Sequence, residues 1–460
     1  MSTGFDAVVI GMGQAGPSLA ARLAGHGMNV AIVEEGEFGG TCVNNGCTPT
    51  KAMVASAYVA HVARRASEYG VVLAQSPSVD MKRVKARRDE IVRSSREGLE
   101  NWMQGLKDAR IYRGHARFVD AKVIQVNGEE LTADRIFLNV GGRPFVPTMP
   151  GIDSVPCLTS VTMMDLDFVP ERLIVIGGSY VGLEFAQMFS RFGSQVTVVE
   201  MGAHLVGRED ADVSQCIEHF LTAEGVAIRR DAKCISMRQE GGGISVGLDC
   251  QTGAPREQGS HLLLAVGRVP NTDDLSVEAA GVDIDERGYI RVDERLQTSN
   301  PHVWALGDCN GKGAFTHTAY NDYEVVADNL LGNAGRKYTD RTLVYALYTD
   351  PPLGRVGMNE AEIRQAGIDA LVGSIPMTRV ARAREKGEST GLLKIYVDRA
   401  SQLILGASLL GTGADESVQS LIDAVCARMP YTEFQRHVRI HPTVSELLPT
   451  VLEHLKPLGR

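Results

Sequence analysis

Cys42 and Cys47 are separated by four residues in the run Gly39-Gly40-Thr41-Cys42-Val43-Asn44-Asn45-Gly46-Cys47-Thr48-Pro49-Thr50-Lys51, and they are the one close pair among eight cysteines. Two chemistries use such a pair. A zinc site needs two further ligands, commonly another Cys-x-x-Cys or a histidine pair. None stands nearby, and no metal site is expected. Disulfide exchange needs one accessible thiolate to attack and a second cysteine to resolve the mixed disulfide. A helix start lowers a cysteine's pKa, to roughly 3.5–7.5 in reactive settings, and the residues after Cys47 are helix formers. The pair reads as a redox dithiol.

The elements that must hold it appear as an internal repeat. Ala7-Val8-Val9-Ile10 reads as a buried strand that enters Gly11-Met12-Gly13-Gln14-Ala15-Gly16, then a helical pattern from Pro17 to about Ala24, then a strand from Asn29 that ends at Glu34. Leu173-Ile174-Val175-Ile176 enters Gly177-Gly178-Ser179-Tyr180-Val181-Gly182, then a helix to about Phe192, then a strand from Gln195 that ends at Glu200. The two copies are offset by 166 residues, and each has 18 residues from its third glycine to its acid. Strand, glycine turn, helix, strand and acid make the dinucleotide-binding βαβ unit. Its glycines permit a tight turn, a close pyrophosphate and close helix packing. The pyrophosphate sits on the helix N-terminus, and the acid accepts from ribose hydroxyls. One such match is weak evidence. Two with matched acids point to two dinucleotides rather than a coincidence of glycine turns. The second copy departs from the pattern at Ser179, in place of the middle glycine.

At about 150 residues per domain, 460 residues suggest about three domains. Hydrophobic residues make up 44% and charged residues 22%, an ordinary globular composition. Net charge is −9, which argues against nucleic acid as a partner. The basic run Lys82 to Arg88 falls in a helical-looking stretch and reads as a solvated helix face. Neither a signal peptide nor a run of about 20 apolar residues is apparent, so a cytoplasmic protein without membrane contact is expected. Lys51 to Gln104 reads as helical. Gly141-Gly142-Arg143-Pro144 reads as a break before the second unit. Leu392–Val397 and Leu403–Leu409 read as antiparallel neighbours, followed by helices at Asp415–Arg428 and Thr443–His454.

The cysteine motif resembles the active-site motif of the class I pyridine nucleotide–disulfide oxidoreductases, the family of glutathione reductase, dihydrolipoamide dehydrogenase and mercuric reductase. The resemblance covers essentially the whole chain. It implies an α/β fold with two Rossmann-like domains, for FAD and for NAD(P)H, plus a C-terminal α+β dimerisation domain. The expected bounds are 1–150 with 271–339 for FAD, 151–270 for NAD(P)H, and 340–460 for dimerisation. By resemblance, Cys42 is the exchange cysteine and Cys47 the charge-transfer cysteine beside the flavin. Lys51 is the lysine near flavin N5, Glu184 is its partner, and Asp308 contacts the ribityl chain. Tyr180 covers the nicotinamide pocket until the cofactor arrives. Gly11, Gly13, Gly16, Glu34, Gly40, Thr41, Gly142, Gly177, Ser179, Gly182, Glu200 and Gly267 are the other expected cofactor-binding positions. His441, in His441-Pro442-Thr443-Val444-Ser445-Glu446, resembles the catalytic base, with Glu446 orienting it. That histidine comes from the other subunit in the family, which implies a homodimer with composite sites. His437 is a lesser candidate for the same role.

Glu200 should repel the 2′-phosphate of NADPH, so NADH is expected rather than NADPH. The implied activity is NAD(P)H-dependent reduction of a small disulfide. Stretches such as Arg379 to Gly387 look most like mercuric reductase-like proteins. Yet the last cysteine, Cys426, stands alone where mercuric reductases carry a second pair. Arg379, Arg382 and Arg384 are candidates for substrate carboxylates or for a solvated face. The alternatives are Hg(II) reduction, dihydrolipoamide oxidation, an NADH oxidase or diaphorase that does not use the pair, and a docking component of a larger complex.

Overall fold

A computed structural model describes residues 3–249 and 255–459. The first sheet runs in the order Ala109–Arg113, Val30–Glu34, Thr3–Ile10, Glu129–Leu138, Val123–Val126 and Ala116–Asp120, and Val303–Ala305 pairs parallel to Glu129–Leu138. The chain thus leaves this sheet and returns to it more than 150 residues later. The second sheet is parallel throughout, in the order Ala227–Arg229, Gln195–Val199, Arg172–Ile176, His261–Leu264 and Cys157–Thr159. Parallel strands are covered on both faces and read as unbroken apolar runs. Accordingly Ala7, Val8, Val9, Leu173, Ile174, Val175 and Ile176 are all buried.

The 166-residue repeat is a repeat of register. Ala7 pairs with Val30 and Ile10 with Val33; Leu173 pairs with Val196 and Ile176 with Val199. A third, antiparallel sheet takes the order Val344–Leu347, Leu353–Gly357, Ile404–Leu410, Leu392–Asp398, Ala370–Pro376 and Lys456–Pro457. The chain is α/β, with two units of dinucleotide-binding type and a C-terminal α+β unit. Among the described residues, no helix is long and apolar enough to cross a membrane.

Three readings need correction. The helical stretch Lys51–Gln104 is two helices, Cys47–Arg64 and Met81–Gln104. The first gives way to a short 3₁₀ turn that ends at Gly70 in left-handed backbone, and Asp80 caps the second by accepting from the Arg83 amide at 3.2 Å. Gly142–Pro144 is not merely a break; it pairs antiparallel with Arg268–Pro270, so the two arms between the dinucleotide units run side by side. The expected C-terminal helices are shorter: Ala414–Ser417 and Gln419–Cys426 replace the first, and Leu448–Glu453, with a proline in its first turn, replaces the second. In the basic run Lys82, Arg83 and Arg87 are exposed, Lys85 is half-buried and Arg88 is buried.

One apolar core ties the units together. It joins Met53 and Ala57 of the cysteine-bearing helix, Phe185 and Phe189 of the helix Tyr180–Phe192, and Leu347, Leu353 and Leu410 of the third sheet. Groups from all three units are therefore held by one packed interior, which transmits strain rather than absorbing it.

Candidate active site

The cysteine loop is seated on the first glycine turn. Gly40 has φ +59°, and a Cβ there would meet Gly13 Cα at 2.7 Å. Cys42 lies in the short helix Gly40–Asn44, and Cys47 is the first residue of the helix Cys47–Arg64. Both open onto one cavity of about 1270 Å³. Thr316 Oγ1 lies 3.3 Å from Cys47 Sγ. One turn further along the helix, Lys51 Nζ lies 2.7 Å from Glu184 Oε2 and 4.6 Å from the centre of the Tyr348 ring. Glu184 is buried, and its other oxygen accepts from the Tyr348 amide at 3.0 Å.

The pair titrates unequally. The Cys42 thiol donates to the Cys47 sulfur and brings the Cys47 pKa down to about 6, against burial and with help from Thr316 and Lys51. The same hydrogen bond, then burial, push Cys42 up. One proton leaves the dithiol easily, and it leaves Cys47. A helix N-terminus also favours the thiolate there.

The glycine turns are fitted for dinucleotides by close approach. Gly11 (φ +101°) and Gly177 (φ +113°) take backbone that side chains rarely adopt, and a Cβ on Gly16 or Gly182 would lie 2.1 Å or 1.9 Å from the carbonyl of Gly11 or Gly177. Each acid is aimed back at its own turn. Glu34 accepts from the amides of Met12 (2.7 Å) and Gly36 (2.8 Å). Glu200 accepts from those of Gly178 (2.6 Å) and Gly202 (2.7 Å), the same positions one repeat later. Ser179 sits in extended backbone at the start of the helix Tyr180–Phe192, so a serine there is unstrained. The cavity runs from Glu34 and Gly13 to Cys47 and Tyr180. Its volume, and the glycines lining one end, fit a dinucleotide such as FAD.

Asp308 lines the same cavity, and burial raises its pKa against the pull of Arg268 Nε, 3.5 Å away. Arg268 also donates to the Gly142 carbonyl and approaches Thr41 Oγ1 at 3.5 Å, so it ties the cysteine loop to both arms. Gly142 and Gly267 themselves belong to the arms and not to the cavity lining. Gly177, Ser179 and Glu200 also lie off the cavity, whereas Tyr180 and Glu184 line it.

Within one chain the structure does not bring His441 to the cysteines. His441 Nδ1 lies 2.9 Å from Glu446 Oε2, but the ring is 74% exposed and off the cavity lining. Its neighbours Val438 and Ile440 are 98% and 80% exposed. His437 packs against Phe434 instead. Arg379 meets His454 at 2.9 Å, Arg382 pairs with Glu385 at 3.3 Å, and neither they nor Arg384 line the cavity. The sequence reading missed Thr316, Tyr345, Tyr348 and Arg268. Only Arg268 had a signal, a glycine–arginine step that recurs in both arms.

A family model described as pyridine nucleotide-disulphide oxidoreductase matches residues 5–322, and the dimerisation domain of that family matches 344–452. The chain is 34% identical to a probable pyridine nucleotide-disulfide oxidoreductase, RclA, of Escherichia coli K12, over 98% of this chain and 99% of that one. It is 33% identical to a mercuric reductase of Streptomyces lividans, over 97% and 95%. It also resembles the solved Cu(II) complex of HOCl-induced flavoprotein disulfide reductase RclA from Escherichia coli, with a TM-score of 0.89 and 33% identity over 98% and 99% of the chains.

Proposed function

The chain belongs to the pyridine nucleotide-disulphide oxidoreductases, flavoproteins that use FAD and NAD(P)H, and on that premise we propose that it reduces a small disulfide through Cys42 and Cys47. What supports this most directly is the unequal dithiol in the cavity lining: a Cys47 thiolate held by a Cys42 thiol, Thr316 and Lys51. In the proposed cycle, Cys42 gives its proton to a base and attacks one sulfur of the substrate. The first thiol leaves with a proton. Cys47, as thiolate, then attacks Cys42 and expels the second half of the substrate as a thiolate that takes its proton from solvent, closing the Cys42–Cys47 disulfide. Bound FAD and NAD(P)H supply the two electrons that reopen it. Gly11, Gly13, Gly16, Glu34, Gly40, Thr41 and Asp308 would hold the FAD. Gly177, Ser179, Gly182 and Glu200 would hold the nicotinamide cofactor, with Tyr180 over its ring site.

Because Cys42 keeps its proton, the cycle needs a base. His441 is proposed for it, carried by the partner subunit. Its Nδ1 is engaged by Glu446, leaving Nε2 to exchange the proton. The exposed Val438 and Ile440 beside it are suited to a partner's surface. The proposed domain bounds are 1–150 with 271–339, 151–270 and 340–460, and the three main sheets fall within them.

NADH is proposed over NADPH. Glu200 is already fixed on its turn, and Arg229 and Arg230 are paired with Glu257 and Glu218 at 2.6 and 3.3 Å. A kcat/KM ratio that favours NADPH would reverse this. A second reading, reduction of a soft or redox-active metal ion held by the two sulfurs, is favoured by the Cu(II) complex of the similar enzyme. A panel of oxidised glutathione, lipoamide, cystine, Hg(II) and Cu(II), read by NADH oxidation in the wild type, Cys42→Ser and Cys47→Ser, separates the two. Disulfide turnover that depends on both cysteines supports the first reading; turnover with metal ions alone supports the second. Turnover that both variants retain refutes both.

A further inference from the structure

A buried charged cluster that the exchange chemistry does not use lies behind Tyr180. The Tyr180 ring packs edge-on against Tyr345, with centroids 5.4 Å apart, and against Phe315 at 6.2 Å. Phe315 stacks on Tyr345 at 5.8 Å, so three rings build one wall of the cavity. The Tyr180 hydroxyl, near that of Tyr345, is enclosed without a hydrogen bond of normal geometry. The Tyr345 hydroxyl is its near polar neighbour, and packing on Tyr345 and Phe315 retains the ring.

Tyr345 is itself fixed. Its hydroxyl donates to Glu209 Oε1 at 2.5 Å. The Glu209 side chain is fully buried, 3.5 Å from the equally buried Arg355. Ser408 donates to Glu209 at 3.4 Å and accepts from Arg355. Arg355 and Ser408 stand on neighbouring strands of the third sheet, Leu353–Gly357 and Ile404–Leu410, whereas Glu209 lies two residues before the second unit's helix Ala211–Ala223. Docking two layers needs only apolar packing, and buried ion pairs are often replaceable by it. This pair stands where a phenol on the cavity wall requires an acceptor.

We infer that Glu209, held by Arg355, is a positioning residue: it fixes Tyr345 as the surface on which Tyr180 rests, and so sets how readily Tyr180 leaves the nicotinamide pocket. The inference rests on the reading of Tyr180 given above. A ligand that must displace Tyr180 binds with an affinity reduced by the fraction of molecules in which the ring is already displaced. Freeing Tyr345 from Glu209 weakens the resting position and raises that fraction.

The test is calorimetric titration of the FAD-loaded wild type, Tyr345→Phe, Glu209→Gln, the double variant and Tyr180→Ala, with NAD⁺ and with ADP-ribose, which lacks the nicotinamide. Tyr345→Phe should tighten NAD⁺ about threefold, Glu209→Gln, which keeps only a neutral acceptor for the phenol, should tighten it by less, and both should leave ADP-ribose unchanged. The double variant should tighten NAD⁺ no further than Tyr345→Phe, since without the phenol the residue at 209 has nothing to hold. If Tyr180→Ala tightens NAD⁺ but Tyr345→Phe and Glu209→Gln do not, the positioning role is refuted and the reading of Tyr180 stands. If Tyr180→Ala changes neither affinity, that reading falls and takes the inference with it. Equal losses for both ligands would mark a distorted second unit and also refute the role.

Discussion

Replacing Cys42 by alanine and, separately, by serine tests the origin of the Cys47 thiolate. The first cause of its low pKa is the hydrogen bond donated by Cys42. A hydrogen bond to a charged acceptor contributes about 1.5–3 kcal/mol, and 1.36 kcal/mol corresponds to one pKa unit. Cys42→Ala should therefore raise the Cys47 pKa from about 6 by about one to two units. Thr316 and Lys51 remain, so it should stay below an ordinary thiol. Cys42→Ser keeps a donor at the same place and should leave the pKa near its present value. At pH 7 the thiolate fraction would fall from about nine-tenths to about a quarter for a rise of 1.5 units, making alkylation about fourfold slower. The assay is the pH dependence of iodoacetamide labelling of the reduced protein, followed at the Cys47 peptide by mass spectrometry, since Cys426 is also exposed. The sign is fixed by the depressed pKa: labelling, like the resolving attack by Cys47, should be lost as pH falls through about 6. Equal midpoints in the alanine and serine variants would refute the hydrogen bond as the cause.

The composite site can be tested by complementation. Cys42→Ser and His441→Gln homodimers should both be inactive, yet co-expression should restore about a quarter of wild-type activity, because half the dimers then carry one intact site of two; no recovery would place His441 in its own chain's site. Gly16→Ala puts a methyl 2.1 Å from the Gly11 carbonyl, and the purified variant should have lost most of its FAD, read by its absorbance relative to protein. Lys51→Met leaves buried Glu184 without its ion partner, and should cost about 1–3 kcal/mol, discounted because Lys51 is one-third exposed. Both a lower denaturant midpoint and a higher Cys47 labelling pKa are expected, and an unchanged midpoint would show that the pair contributes nothing to stability.

Legibility in the sequence followed the distance over which each feature is encoded. The glycine turns, their acids and the cysteine pair are each written within a few dozen residues, and the 166-residue offset proved to be an offset of register as well. Thr316, Tyr345 and Tyr348 were invisible. Each is an ordinary residue in its own segment and gains meaning only where the fold returns it to Cys47, Tyr180 or Lys51. The merged helix has a different cause. The connector Val71-Val72-Leu73 is apolar although exposed, Val72 by 90%, so no polar run marked the gap, and Ser76-Pro77-Ser78 went unread as the breaker it is.

The two turns are alike in backbone and opposite in setting, and the difference bears on which cofactor stays. The cysteine loop closes over the first turn through the contact of Gly40 on Gly13, and the cavity beneath continues to Cys47. A dinucleotide there leaves only if that loop moves. The second turn opens outward: Ser179 and Glu200's neighbour Met201 are exposed, Met201 by 63%, and the turn reaches the cavity only through Tyr180 and its helix. On the proposed reading, a dinucleotide there can come and go while Tyr180 decides when its reactive end enters. Residence at the first turn and exchange at the second are therefore expected from what is built around each copy. Exchanging the acids, Glu34 or Glu200, should alter affinity at each site without converting one behaviour into the other; prolonged dialysis of Glu34→Gln, followed by FAD absorbance, should show slow first-order loss of FAD over hours rather than immediate equilibration.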